Sequence, residues 1–163
     1  MADYRPANDE TIPNDERLYV RIYPQGDCVK HVEGNNYRPT GGGLRRYPDE
    51  PLSVDLGSRC TPEDTRTRGT DGNFHVALLI AGEVRALGCR ISRDPVTDGP
   101  VLNPAHALIH GPTKTDDNGD LRGALTQTQF SKLARSALII VWAPGWNNGQ
   151  PPAAQPPEAA EAE

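Results

Sequence analysis

The chain has 163 residues, 36% of them apolar and 24% charged, with a formal net charge of -5, a composition that suits one folded domain of ordinary size. Its longest uninterrupted apolar run, Ala137 to Ala143, falls far short of the roughly 20 residues a spanning helix needs, so no membrane segment is expected. The three cysteines are odd in number and widely spaced, and the start lacks the basic-then-apolar pattern of a secretory signal, which argues against a disulfide framework and for reduced thiols in a cytoplasm.

The charge is unevenly placed. Residues 1–16 carry five acidic groups and one arginine, and residues 147–163 carry three acids and no base. These flanks hold -4 and -3 of the total, which leaves residues 17–146 at +2. Neither flank has enough apolar side chains to bury, so the first is expected to be a flexible acidic segment and the second, rich in Pro, Ala and Glu, a disordered tail. Residues 17–146 remain as a single domain, large enough to bury roughly two-thirds of its unfolded surface without disulfide or metal staples. Within it, Arg17 to Arg46 holds six basic residues against two acidic ones, a local cationic patch rather than the overall basicity of a bulk nucleic-acid binder.

In chain order, "RLYVRIYP" alternates, with Leu18, Val20 and Ile22 on one face and Tyr19, Arg21 and Tyr23 on the other, which predicts a half-buried strand ended by Pro24. A loop rich in Gly, Asn and Pro follows, and then "LSVDL", Leu52 to Leu56, as a short strand. "TPED" supplies Thr61 as N-cap, Pro62 at the first helical position and acids in the first turn, and Gly69 limits that helix to about two turns. "FHVALLI" is apolar on both faces and reads as a central strand. "AGEVRALG" suits a short helix closed by Gly88, and "CRIS" a strand broken by Asp94-Pro95. Thr126 and Gln129 form a capping box, after which Phe130, Leu133, Ala134 and Ala137 fall on one helical face. "LIIVW", Leu138 to Trp142, closes the body as a strand. Strands interleaved with helices in no regular alternation predict an α+β fold, a small mixed or antiparallel sheet with about three short helices on one face.

The stretch "NPAHALIHGPTKTDDNGD" carries His106 and His110 four residues apart. On a helix they would be neighbours able to share an ion. Pro104 and Pro112 bracket too short a run for that, and Ala107 and Ile109 alternate with the histidines, so an extended strand is expected. There the two imidazoles share a face but stand about 13 Å apart, too far for one metal. "TDDNGD" starts like a calcium loop and then places Leu121 where Gly is needed and Gln127 where a bidentate carboxylate is needed. Cys28 and His31 with His75, His106 or His110 would make only an incomplete zinc set. Neither a metal nor another cofactor is expected.

Two surfaces suit an anionic partner. In "RPTGGGLRR", glycines such as Gly42 let backbone amides approach an anion, and Arg38, Arg45 and Arg46 are placed to clamp a phosphate, although the Lys-Ser/Thr ending of a P-loop is missing. The Tyr19, Arg21 and Tyr23 face pairs rings for stacking with a cation for phosphate. A catalytic reading takes His106 or His110 as general base, Lys114 as stabiliser of phosphate charge, and Ser53 and Asp55, which share a face of "LSVDL", as assisting groups.

The segments "LSVD", "TPEDT", "AGEVRALG" and "NPAHALIHG", in that order from Leu52 to Gly111, resemble a group of small bacterial proteins to which no activity attaches. The resemblance implies no chemistry and directs attention to Asn103–Gly111. The function expected is an interaction module that contacts nucleic acid or a phosphate-bearing ligand through its basic Gly-rich loop, as part of a complex. The alternatives are a metal-independent, histidine-dependent enzyme acting on RNA or a nucleotide, and a protein-binding accessory subunit using an apolar patch around Trp142 and Trp146.

Overall fold

A computed structural model of the chain describes residues 8–44, 50–111 and 125–152. In chain order the strands are β1 (Arg17–Ile22), β2 (Val29–Glu33), β3 (Asn36–Pro39), β4 (Leu52–Leu56), β5 (His75–Ile80), β6 (Arg90–Arg93), β7 (His106–His110) and β8 (Leu138–Val141). The helices are α1 (Gly41–Leu44), α2 (Pro62–Thr67), α3 (Ala81–Ala86) and α4 (Gln127–Ser136). Six strands form one antiparallel sheet in the order β6-β7-β4-β1-β5-β8, and β2 with β3 forms a separate hairpin, so the class is α+β.

Strand alternation decides what each sheet face carries. Leu18, Val20 and Ile22 of β1 join Val54 of β4, Ala77 and Leu79 of β5, and Ala107 and Ile109 of β7 in one apolar cluster with Phe130 and Leu133 of α4. α4 begins with the Thr126–Gln129 capping box and α2 with a Thr61–Asp64 box, each satisfying amides that a helix start leaves unpaired. Gly69 and Gly88, just past α2 and α3, have φ of +64° and +84°, the left-handed turn that glycine makes without strain. α2 lies on the sheet face opposite to α4, above Arg21 and Asp55, because both side chains bond to it.

Helices lie on both faces of the sheet, α2 opposite α4, rather than on the one face expected, and two further expectations need correction. Between β1 and β4 the chain is not a plain loop: it makes a 3-10 turn at Gly26–Cys28, the hairpin and α1. Thr40 organises α1, its carbonyl accepting from the Leu44 amide at 3.1 Å and its Oγ1 from the Gly43 amide at 3.0 Å. A Cβ on Gly43 would stand 2.5 Å from the Cys28 carbonyl oxygen, so that glycine is required by close backbone packing. The second correction concerns the acidic N-terminal segment, of which residues 8–16 pack against the domain. Ile12 is fully buried, the Asp9 amide bonds the Ile91 carbonyl at 2.7 Å on the edge of β6, and Arg85 donates to Asn8, Asp9 and Asn14. One well-placed isoleucine and satisfied backbone groups outweigh an acidic composition. At the other end, residues 147–152 include a bridge between Asn147 and Gln150.

Candidate functional site

The site is created by an early end to strand pairing. β1 pairs with β4 only at Leu18↔Leu56 and Tyr19↔Asp55, whereas β1 continues against β5 to Ile22↔His75 and β4 continues against β7 to Leu52↔Ile109. The two central strands therefore diverge. Between them opens a cleft of about 240 Å³, with Val20, Leu44 and Phe130 on its α4 side and Arg21, Ser53, Asp55, Asn103 and His106 on its α2 side.

Asp55 is the hub of the polar side. Its carboxylate accepts from Thr65 Oγ1 at 2.8 Å, Arg68 Nη1 at 2.9 Å and Asn103 Nδ2 at 2.8 Å. With three donors on one buried carboxylate, Asp55 holds α2 and the β7 approach in place. Ser53, two residues earlier on the same face, is exposed and lines the cleft.

His106 is held from behind. Its Nδ1 lies 2.8 Å from the Asp94 carbonyl oxygen and 3.2 Å from Asp94 Oδ2, and the ring lines the cleft. A carboxylate and carbonyl at Nδ1 select the tautomer with the proton there, which leaves the Nε2 lone pair to accept one. His110 shares the face, as expected of an extended strand, and has a different partner: Ser92 Oγ on β6 at 2.7 Å from its Nε2. Burial depresses the pKa of His110, Asp94 opposing that shift and Arg90 adding to it. The two histidines thus belong to separate cross-strand pairs. Among the described residues no group of three or more His, Cys, Asp or Glu side chains is arranged to hold a metal.

The remaining anticipated residues are scattered. Tyr19 is 5% exposed, and Arg21 donates its Nε to the Thr65 carbonyl and its Nη2 to the Arg68 carbonyl while lying 5.6 Å above the Phe74 ring. Tyr23 alone of the three is well exposed, at 41%. The face expected to stack bases is thereby closed over Arg21 by α2, and Tyr19 is buried. Gly42 lies in α1, a short helix rather than an open anion loop, and Arg38 is on β3 directly opposite Lys30 on β2. Arg45, Arg46 and Lys114 lie outside the described residues.

The tryptophans expected to form an outer patch close around His75 instead. Trp142 and Trp146 are parallel within 4°, and the His75 ring meets them edge-on at 4.9 Å and 4.5 Å. His75 Nδ1 accepts from the Ala143 amide at 2.8 Å, and burial pushes the imidazole down to about 4. Asp94, Ser92, Asn103, Thr65 and Arg68 were not singled out in the sequence. Asp94-Pro95 showed only as a strand breaker, and nothing local connects it to His106.

Comparison with protein-family models, curated proteins and solved structures gives no match to this chain. Among the described residues no helix is long and apolar enough to cross a membrane. Fold and site together define an antiparallel α+β domain with a histidine-bearing cleft in its sheet.

Proposed function

We propose that this chain is a metal-independent enzyme acting on a phosphate ester of the RNA or nucleotide class, with His106 as general base in the cleft between β1 and β4. The observation that carries the reading is the Asp94–His106 pair, which leaves Nε2 as the acceptor nitrogen of a cleft-lining imidazole. His106 Nε2 takes the proton of an attacking hydroxyl, and Asp94 steadies the imidazolium that results. The cleft is smaller than the ~300–1,000 Å³ of pockets for drug-sized ligands. It therefore takes one polar fragment such as a ribose phosphate, with Ser53 as hydrogen-bond partner and Asp55 as the anchor of the wall. Incubation of the full chain with an RNA oligonucleotide and with nucleoside 2′,3′-cyclic phosphates, followed by chromatography, tests this. Turnover that disappears in His106→Gln and drops at least about tenfold in Asp94→Asn supports it; an inactive wild-type chain overturns it.

A second reading, an anion-binding module, is favoured by the Lys30↔Arg38 register. Like charges directly opposite each other repel, and neither is in an ion pair among the described residues. An anionic partner relieves that repulsion. Under this reading RNA affinity falls steeply with salt, Lys30→Ala with Arg38→Ala flattens the slope, and His106→Gln leaves binding unchanged.

A further inference from the structure

The Asp94–His106 pair has a counterpart one position along the same sheet face that the cleft chemistry leaves unused. In the register of β6 with β7, Ser92 stands opposite Leu108 and Arg90 opposite His110, so Ser92 and His110 are diagonal neighbours. Their side chains meet at 2.7 Å, Ser92 Oγ to His110 Nε2. Ser92 is half-buried, whereas His110 is fully buried. On the opposite side of the same two strands, Ile91 faces Ile109 in the apolar core.

The three buried or half-buried histidines of the sheet differ in what their nitrogens meet. His75 accepts from a backbone amide and His106 is held by Asp94. Among the described residues only His110 bonds a side-chain hydroxyl, and it does so through its ε nitrogen, the contact a base makes when it activates a nucleophilic serine. Burial disfavours the imidazolium, so the ring is neutral and able to accept a proton near neutral pH.

We propose that Ser92 is a nucleophile activated by His110, a second reactive centre distinct from the His106 cleft, and that its substrate class is the carboxylic ester. As Ser92 Oγ bonds the carbonyl carbon, its proton passes to His110 Nε2, and the leaving alcohol takes that proton when the ester C–O bond breaks. Water then attacks the acyl-serine, gives one proton to His110, and releases the carboxylic acid while the proton returns to Ser92 Oγ.

The test uses a fluorophosphonate, whose phosphorus is attacked by the serine as fluoride leaves, applied to the folded full chain with the modified peptide mapped by mass spectrometry. Ser92 is expected to be labelled at least about tenfold over Ser58 and Ser136, neither of which has a histidine partner among the described residues. Heat-denatured chain should lose that preference, and p-nitrophenyl acetate should release nitrophenolate from the wild type and not from Ser92→Ala. His110→Gln should label at least tenfold more slowly while keeping the wild-type circular dichroism; if that variant misfolds, the wild-type against denatured comparison decides. Absence of label at Ser92 in the folded wild type, or equal labelling before and after denaturation, overturns the proposal.

Discussion

Asp55 on β4 and Arg68, the residue that ends α2, form an ion pair 2.9 Å long in which the carboxylate side chain is 8% exposed and the guanidinium 16%. Thr65 and Asn103 complete the carboxylate's bonds, so this one group ties β4 to α2 and to the chain leading into β7. Removing one partner of a buried pair strands the other charge. Asp55→Ala should therefore cost about 3–5 kcal/mol in urea denaturation. A loss under ~1 kcal/mol would mean that the pair behaves as a surface contact.

His75 makes stability depend on pH in a defined direction. Its folded-state value of about 4 lies below the ordinary 6.5, so the unfolded chain takes up a proton that the folded chain refuses. The contribution is complete above about pH 6.5, declines as pH falls toward about 4, and is constant below that; the whole effect amounts to ~3 kcal/mol. Denaturation midpoints of wild type and His75→Gln, compared near pH 7 and near pH 4.5, should show a smaller acid loss in the variant. Equal acid losses would exonerate this histidine.

Ile12 is expected to matter as much as a residue in a strand. Because it is fully buried in the main cluster, Ile12→Ala should lower stability by about 2–5 kcal/mol. Thermal melts of that variant beside Glu10→Ala, an exposed neighbour expected to change little, would separate core anchoring from segment charge.

The glycines of α1 should not be equivalent. At Gly43 a methyl group meets the Cys28 backbone, whereas at Gly42 the nearest atom is Thr40 Oγ1 at 3.9 Å. Gly43→Ala should cost ~1–3 kcal/mol through overpacking, and Gly42→Ala should be neutral or stabilising by up to ~1 kcal/mol. Equal behaviour of the two variants would contradict the close approach at Cys28.

Much of the sheet was readable because its signals are local. The alternation of β1 and β4, the Thr126 capping box, the Thr61 cap with Pro62 after it, the glycines that end α2 and α3, and the extended run through His106 and His110 each lie within a few adjacent residues. The hairpin was not readable because β2 is largely solvent-exposed along Lys30–Glu33 and offers no apolar alternation to detect. Ile12 was hidden as a lone apolar side chain between acids. For the site, the strand period placed Ser53 with Asp55 and His106 with His110, but their partners are set by pairing between distant strands. Asp94 reaches His106, and Ser92 reaches His110, only once β6 lies beside β7. Where β1 stops pairing with β4 is likewise decided by the whole packing, not by either strand alone.

That early parting of β1 from β4 divides the sheet into two triplets, β6-β7-β4 and β1-β5-β8, each continuous in its own pairing and joined by a short seam at Leu18↔Leu56 and Tyr19↔Asp55. A molecule seated in the wedge touches both triplets at once. The Asp55 anchorage stands at that seam, where it ties β4 to α2 and to the chain leading into β7.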